Sequence, residues 1–315
     1  MNKNTFQNPI YRYLIITICL LFSFNNTAFA TIKKPLLSPN YVLKNNLIKT
    51  DSINLDTLLI QFNTANNLKD SLEKAQAFRQ LGSRAFEDYS TYSIRFFDSA
   101  QVYFKQLNKV KERALCLQSM AFAYEEKQGN LDKGLEYALS TIPLWQSINS
   151  EMDEANMLKY IGFIYGKKEK YDMAFVHINR AIEKFGRLNN QRGVAVCYFD
   201  MASVFKQKMD TDSCVRYLSK AKKIWISFET PSRIFKINNE LINVYIGYKA
   251  TNNINEIIAE NDVLYLGDLN KDIYWRDVDS FLSICINYYD KNNDKARRDL
   301  FQMKKKKYLE SIKNK

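Results

Sequence analysis

The sequence predicts an all-α protein built from repeated pairs of antiparallel helices, and three observations carry that prediction. Nine Gly and five Pro in 315 residues leave little material for hairpins and tight turns. Small and apolar residues recur at helical spacing, most clearly at Ile161, Gly162, Tyr165, Ala174, Ile178 and Ala181. The leading pair of that set returns up and down the chain as Leu81-Gly82, Met120-Ala121, Ile161-Gly162, Met201-Ala202 and Leu241-Ile242, at intervals of 39, 41, 40 and 40 residues. Repeats of this length bury their apolar faces only against their neighbours. A hydrophobic content of 46%, with twenty Tyr and twenty Phe, is ample for such a core.

Residues 1–30 read as a secretory signal peptide. Lys3 and Arg12 stand without an acid, an apolar run of twelve residues follows from Tyr13 to Phe24, and Ala28 and Ala30 form the small-residue cleavage pattern. The run is short of the roughly 20 residues that span a bilayer. Cys19 follows Ile18 instead of a small residue, which argues against a lipid anchor. The mature chain is therefore expected to be exported, periplasmic or extracellular. Residues 31–50, with Pro35 and Pro39 and no apolar period, form a linker. Residues 51–69 form an N-terminal capping helix, with Leu55, Leu58, Leu59 and Phe62 on one face and Asp51 or Asn54 as its N-cap.

Five to six helix pairs follow over residues 70–305. Each first helix carries the leading pair and a third residue beside it: Gly82 with Ala85, Ala121 with Tyr124, Gly162 with Tyr165, Ala202 with Phe205, and Ile242 with Tyr245. Second helices repeat Ala174, Ile178 and Ala181 as Cys214, Leu218 and Ala221 at the same offsets. The second copy needs one inserted residue before Gly134, and a degenerate sixth starts near Ile284 and Cys285, with Tyr288, Arg297 and Phe301. Two helices joined by a short turn approach closely only where Gly or Ala replaces a bulky side chain, and Gly162, Ala174 and Ala181 supply those places.

These residues resemble the tetratricopeptide repeat, W-x₂-L-G-x₂-Y followed by A-x₃-F, an Ala and a Pro. The resemblance implies a right-handed superhelical solenoid. Leu158 stands for the first Trp, Gly186 for the closing Pro, and the period is near forty instead of about 34. Forty is also a period of HEAT-type arrays, but the small crossing residues favour the tetratricopeptide. The added residues are expected after the second helix, in stretches such as Arg187 to Arg192, and are taken up by longer helices or longer inter-repeat turns.

Little in the sequence points to catalysis. His177 is the only histidine, so triads and zinc sites lack material, and a structural or solvent-facing role is expected for it. Neither GxxxxGK[ST] nor GxGxxG occurs, and the acids Glu125, Glu126, Asp210 and Asp212 fall at helix ends, where capping explains them. No cofactor or metal is expected. Cys116 and Cys197 share one repeat slot and Cys214 takes a small-residue slot, so the four mature cysteines read as buried hydrophobes. Export leaves open a bridge, with Cys197 and Cys214 the least remote pair.

Binding is the better reading. In tetratricopeptide domains the first helices line a concave face, and ligands are held two residues before, two after and five before the Leu of the Leu-Gly pair. By that resemblance the slots hold Gln76, Arg79 and Ser83; Gln118 and Phe122; Asn156, Lys159 and Phe163; Phe199 and Ser203; and Lys236, Asn239 and Asn243. Phe122, Phe163 and Phe199 make an aromatic floor between basic and amide groups, suited to a peptide, unless some of them pack between repeats. This is not the two-carboxylate clamp, because Phe163 stands where that clamp has Asn. The structural repeat positions are Gly82, Tyr124, Gly162, Tyr165, Ala174, Ala181, Ala202 and Ala221.

Loss of residues 1–30 takes the net charge from +12 to +10, of which +7 lies in residues 295–315, with Lys304, Lys305, Lys306 and Lys307 in a row and residues 306–315 as a basic tail. Such a cluster is a solvated helix end or a weak contact to an anionic surface. Export and the terminal place of the charge argue against nucleic acid. A signal peptide before helical repeats also resembles the exported sensory part of bacterial membrane regulators. Since no apolar stretch of spanning length follows the repeats, the chain is either an exported adaptor that binds a protein or peptide, or a sensor cut short before its membrane span. Carbohydrate-capture proteins on the same repeats are usually longer lipoproteins and fit less well. Expressed in a secreting bacterium, the protein is expected to leave the cytoplasm with Thr31 first; N-terminal sequencing that finds Met1 retained would defeat the cleavage assignment.

Overall fold

The computed structural model describes residues 54–248, 251–266 and 273–313. The signal-peptide and linker assignments lie outside these residues. Thirteen α-helices and no strand occur among the described residues. They fall into two compact units, Met1–Gly129 and Asn130–Lys315. The first holds α1 (Leu55–Asn66), α2 (Ser71–Arg84), α3 (Ser90–Gln106) and α4 (Val110–Phe122), the last running on into a single π-helical turn, Ala123–Lys127. The second holds α5 (Leu131–Ser147), α6 (Glu151–Lys167), α7 (Tyr171–Arg187), α8 (Gln191–Gln207), α9 (Thr211–Ser227), α10 (Pro231–Tyr248), α11 (Thr251–Leu266), α12 (Trp275–Lys291) and α13 (Lys295–Lys313).

The forty-residue period comes from the helices themselves. From α5 to α9 every helix has 17 residues and every connection three. In each connection one residue takes a positive φ: Asn149, Glu169, Asn189, Met209 and Glu229, twenty residues apart. At the turn after α6, the Lys170 amide donates to the Tyr165 carbonyl at 2.9 Å and the Glu169 amide to that of Gly166 at 2.9 Å. That is the paired pattern of a Schellman motif, which satisfies the last carbonyls of the helix. The closing residue of the turn also begins the next helix. Asn190 accepts from the Gly193 amide at 2.9 Å and Asp210 from the Ser213 amide at 3.0 Å. Of the two expected ways to absorb the added residues, longer helices are the one found, and they are shared by both helices of a pair instead of falling after the second; from α5 to α10 every turn stays short.

The one-residue excess in the second copy has an equally local cause. A π turn is an α-helix with one residue inserted, and the turn at Ala123–Lys127 lies between Met120 and Gly134, where the extra residue has to go. Tyr124 is carried on it, half-buried.

The crossing of α6 and α7 shows the packing of the second unit most plainly. Gly162, Ala174, Ile178 and Ala181 are all buried there. A Cβ on Gly162 would lie 2.5 Å from Ile178 Cγ1 and 3.1 Å from the Ala174 carbonyl oxygen. The α8–α9 pair repeats the arrangement with Ala202, Cys214, Leu218 and Ala221, all at most 2% exposed. Tyr165 stacks on His177 at 5.3 Å, and His177 is buried, with burial and then Arg180 holding its imidazole below the ordinary range. All four described cysteines are buried free thiols. Burial pushes Cys197 up to about 12 and Cys214 up to about 11, so both stay protonated and inert.

The first unit uses the same physics one residue out of step. A Cβ on Gly82 would lie 2.8 Å from the Phe97 ring, but the small partners on α3 are Ser93 and Ala100, both wholly buried. Ser93 Oγ donates to the Gly82 carbonyl at 2.7 Å. Asn54 caps α1, accepting from the Asp56 and Thr57 amides. Phe62 of α1 packs on Phe78 and Phe96, with ring centroids 5.6 and 5.8 Å away.

Two glycines of one hairpin give a direct check. Gly162→Ala should cost about 1–3 kcal/mol by overpacking the crossing. Gly186→Ala, where nothing lies within 4 Å of the added Cβ, should gain about 0.5–1 kcal/mol from helix propensity. Urea unfolding of both variants checks the difference in sign; equal stabilities would overturn the packing argument.

Candidate functional site

The first helices of the second unit, α6, α8, α10 and α12, present the candidate face. Asn156, Lys236 and Asn243 are exposed on it, and Lys159, Phe163 and Phe199 are half-buried. Lys167 Nζ lies 4.8 Å from the Phe163 ring centroid, and Tyr160 stacks beside that ring at 6.3 Å. Lys236 Nζ lies 5.6 Å from the Phe199 ring. Phe163 and Phe199 are therefore platforms beneath cations, each in reach of solvent.

Two residues expected in the groove belong to the interior. Asn239 is 7% exposed, with its Nδ2 donating to the Asp277 carbonyl at 3.1 Å and its Oδ1 accepting from Asn261 at 2.9 Å. Asn261 is wholly buried in the slot that Ala181 fills in the reference pair, and it also accepts from Asn238 at 2.9 Å. A buried amide demands partners, so Asn261 draws Asn239 inward. Arg79 is 3% exposed in the first unit, where burial lowers its guanidinium to about 10 against the opposing pull of Cys116 and Glu112. Phe122 ends α4 in that same unit, half-buried. In the sixth pair Cys285 is buried while Ile284 is only partly so, because Ile284 faces a cleft instead of the helix crossing.

The sequence reading missed Asp200, one residue before Met201. It lies on α8 between the cations of the two flanking first helices. Burial raises its carboxyl to about 6, against the lowering pull of Lys159 from α6 and of Lys236 and Arg233 from α10. The residue as a whole is half-buried. Arg233 also packs over Trp225 at 5.6 Å, and Arg192 over Phe228 at 4.8 Å. Position supplied the missing signal: the residues just before each Leu slot, Tyr160, Asp200 and Glu240, share the face at forty-residue spacing.

A separate cleft of about 670 Å³ opens between α10 and α12, over Ile254 of α11. Asn243, Asn287, Lys291 and Asn292 rim it, and Ile246, Ile284 and Tyr288 complete its wall. No cluster of three or more metal-binding side chains occurs among the described residues.

Asp200 gives a pH signature with a defined sign. Between about 4 and 6 the folded state holds this proton while the unfolded chain has released it, so the group lowers stability as pH rises through that window. Asp200→Asn should match the parent near pH 4 and exceed it near pH 7 in urea unfolding; parallel curves would show the carboxyl to be unperturbed.

No protein-family model matches the sequence, and no curated protein does either. Among solved structures the chain is similar to the apo form of RapI, with a TM-score of 0.58 and 16% identity over 85% of this chain and 94% of that one. BtubC from P. vanneervenii gives a TM-score of 0.59 and 12% identity, over 74% and 93%. The third is a signal-transduction ATPase with numerous domains from Pyrococcus horikoshii that carries a tetratricopeptide repeat sensor, at 0.61 and 14%, over 82% of this chain and 40% of that one. Identities this low speak to fold alone, and the fold is that of tetratricopeptide-like helical repeats.

Proposed function

We propose that this chain is an exported, non-catalytic binding protein that holds an extended, acidic segment of a partner protein across α6, α8 and α10. The carrying observation is the alternation of cations and aromatic platforms on three successive first helices: Lys159 and Phe163, then Phe199, then Arg233 and Lys236. Lys159, Arg233 and Lys236 have no acidic partner within ion-pair distance among the described residues, apart from their longer-range pull on Asp200. Such a face suits a chain whose carboxylates meet the cations and whose apolar side chains lie on the rings. A Rap protein of similar fold, with a TM-score of 0.53, was crystallised with the competence and sporulation factor, which supports capture of a ligand by this architecture. Export rests on the Lys3-to-Ala30 pattern. A sensory role in a larger signalling protein is the second reading, favoured by the repeat sensor of the Pyrococcus ATPase.

Panning the full chain against a displayed random-peptide library tests the reading. Recovered peptides should combine acidic and apolar residues, and Lys236→Glu should weaken them at least tenfold, about 1.4 kcal/mol, without changing thermal unfolding. Equal affinity after charge reversal at both Lys159 and Lys236 would overturn it.

A further inference from the structure

The cleft between α10 and α12 is chemically unlike the face beside it. Its base is apolar, with Ile246, Ile254 and Ile284 against the ring of the buried Tyr288. Among the described residues its rim is polar and holds no acid, and Lys291 is the one charged residue lining it. Lys291 and the Asn243 and Asn287 amides are exposed, and among the described residues none is engaged in a hydrogen bond or ion pair. Asn292 spends its Nδ2 on the Tyr288 carbonyl at 2.7 Å. The volume, about 670 Å³, falls within the range of small-molecule sites.

We infer that this cleft binds one carboxylate carried on an apolar body. A cation is disfavoured because no acid receives it. A polyanion is disfavoured because, among the described residues, Lys291 is the one cation lining the cleft, and it sits in the last turn of α12, where part of its charge offsets the negative end of the helix dipole. A carboxylate takes one charge-assisted bond from the ammonium and further bonds from the donor ends of Asn243 and Asn287, while its body covers the isoleucines. The same chemistry is offered by a free organic acid and by the C-terminus of a peptide ending in an apolar residue. The cleft shares Asn243 with the candidate face, but Lys159, Phe163, Phe199, Arg233 and Lys236, which carry the peptide-holding reading, do not line it.

Calorimetric titration of the full chain with hexanoate, hexanamide and hexylamine tests the charge requirement. Gly-Gly-Leu with a free or an amidated C-terminus tests the second source. The expected result is saturable binding of hexanoate or of free-acid Gly-Gly-Leu, at least tenfold tighter than the neutral or cationic analogues. Lys291→Gln should remove that preference with unfolding unchanged, and Asn287→Asp should do the same by like-charge repulsion. Tighter binding by hexanoate identifies a free acid, and tighter binding by the peptide a chain terminus. Hexanamide equal to hexanoate, a preference that survives Lys291→Gln, or no saturable binding by either carboxylate would overturn the inference.

Discussion

The close crossing of paired helices is the constraint from which the rest of the second unit follows. With Ile178 Cγ1 only 2.5 Å from where a Cβ on Gly162 would stand, the two helices are as near as side-chain chemistry allows. That fixes the rotation of α6 about its axis. Ile161 and Leu158 must then face inward, and Asn156 and Phe163 are left towards solvent. Small residues here are less a feature of their own helix than a decision about which residues elsewhere remain available for a ligand.

The turns impose the second constraint, on length. A three-residue connection has to end one helix through a left-handed residue and begin the next with the following one. Asn149 and Asn189 take that left-handed position readily, while Glu169, Met209 and Glu229 do so against an intrinsic cost of about 1 kcal/mol or more each. Such residues persist because the packing on either side leaves the turn no other geometry. Equal turns force equal helices, and 17-residue helices give twenty residues per element and forty per pair.

This explains which parts of the fold were legible. The third and fourth pairs obey the small-residue pattern literally, and their register was readable from Gly162, Ala174, Ala202 and Ala221. The first pair hid its register because Ser93 does the work of an alanine, with its hydroxyl satisfied by the Gly82 carbonyl. The fifth hid it because Asn261 fills a small-residue slot and brings two further asparagines to satisfy it. The site was legible to the same degree. Slot arithmetic put Lys236, Phe163 and Phe199 where solvent reaches them, but it put Asn239 and Arg79 there too, because a polar side chain with buried partners looks in sequence like one left open to solvent. The cleft involves Asn287 and Lys291 of a pair too degenerate to align by residue type.

Charge distribution sharpens the distinction between the basic face and the basic end of the chain. Half of the net positive charge, +6 of +12, sits on α13, yet Lys304 pairs with Asp262 at 2.6 Å and Lys305 with Asp279 at 3.0 Å. Half of the lysine row is therefore spent holding the last helix to α11 and α12, and only Lys306 and Lys307 remain exposed. On α6 and α10 the balance runs the other way. Lys159, Arg233 and Lys236 are fewer, but the carboxyl they all act on is Asp200, whose burial raises it to about 6. Below about pH 6 that carboxyl is mostly protonated, which removes one opposing charge from beside the three cations. A ligand that remains ionised at such a pH meets a stronger local field than the overall charge of the chain would suggest.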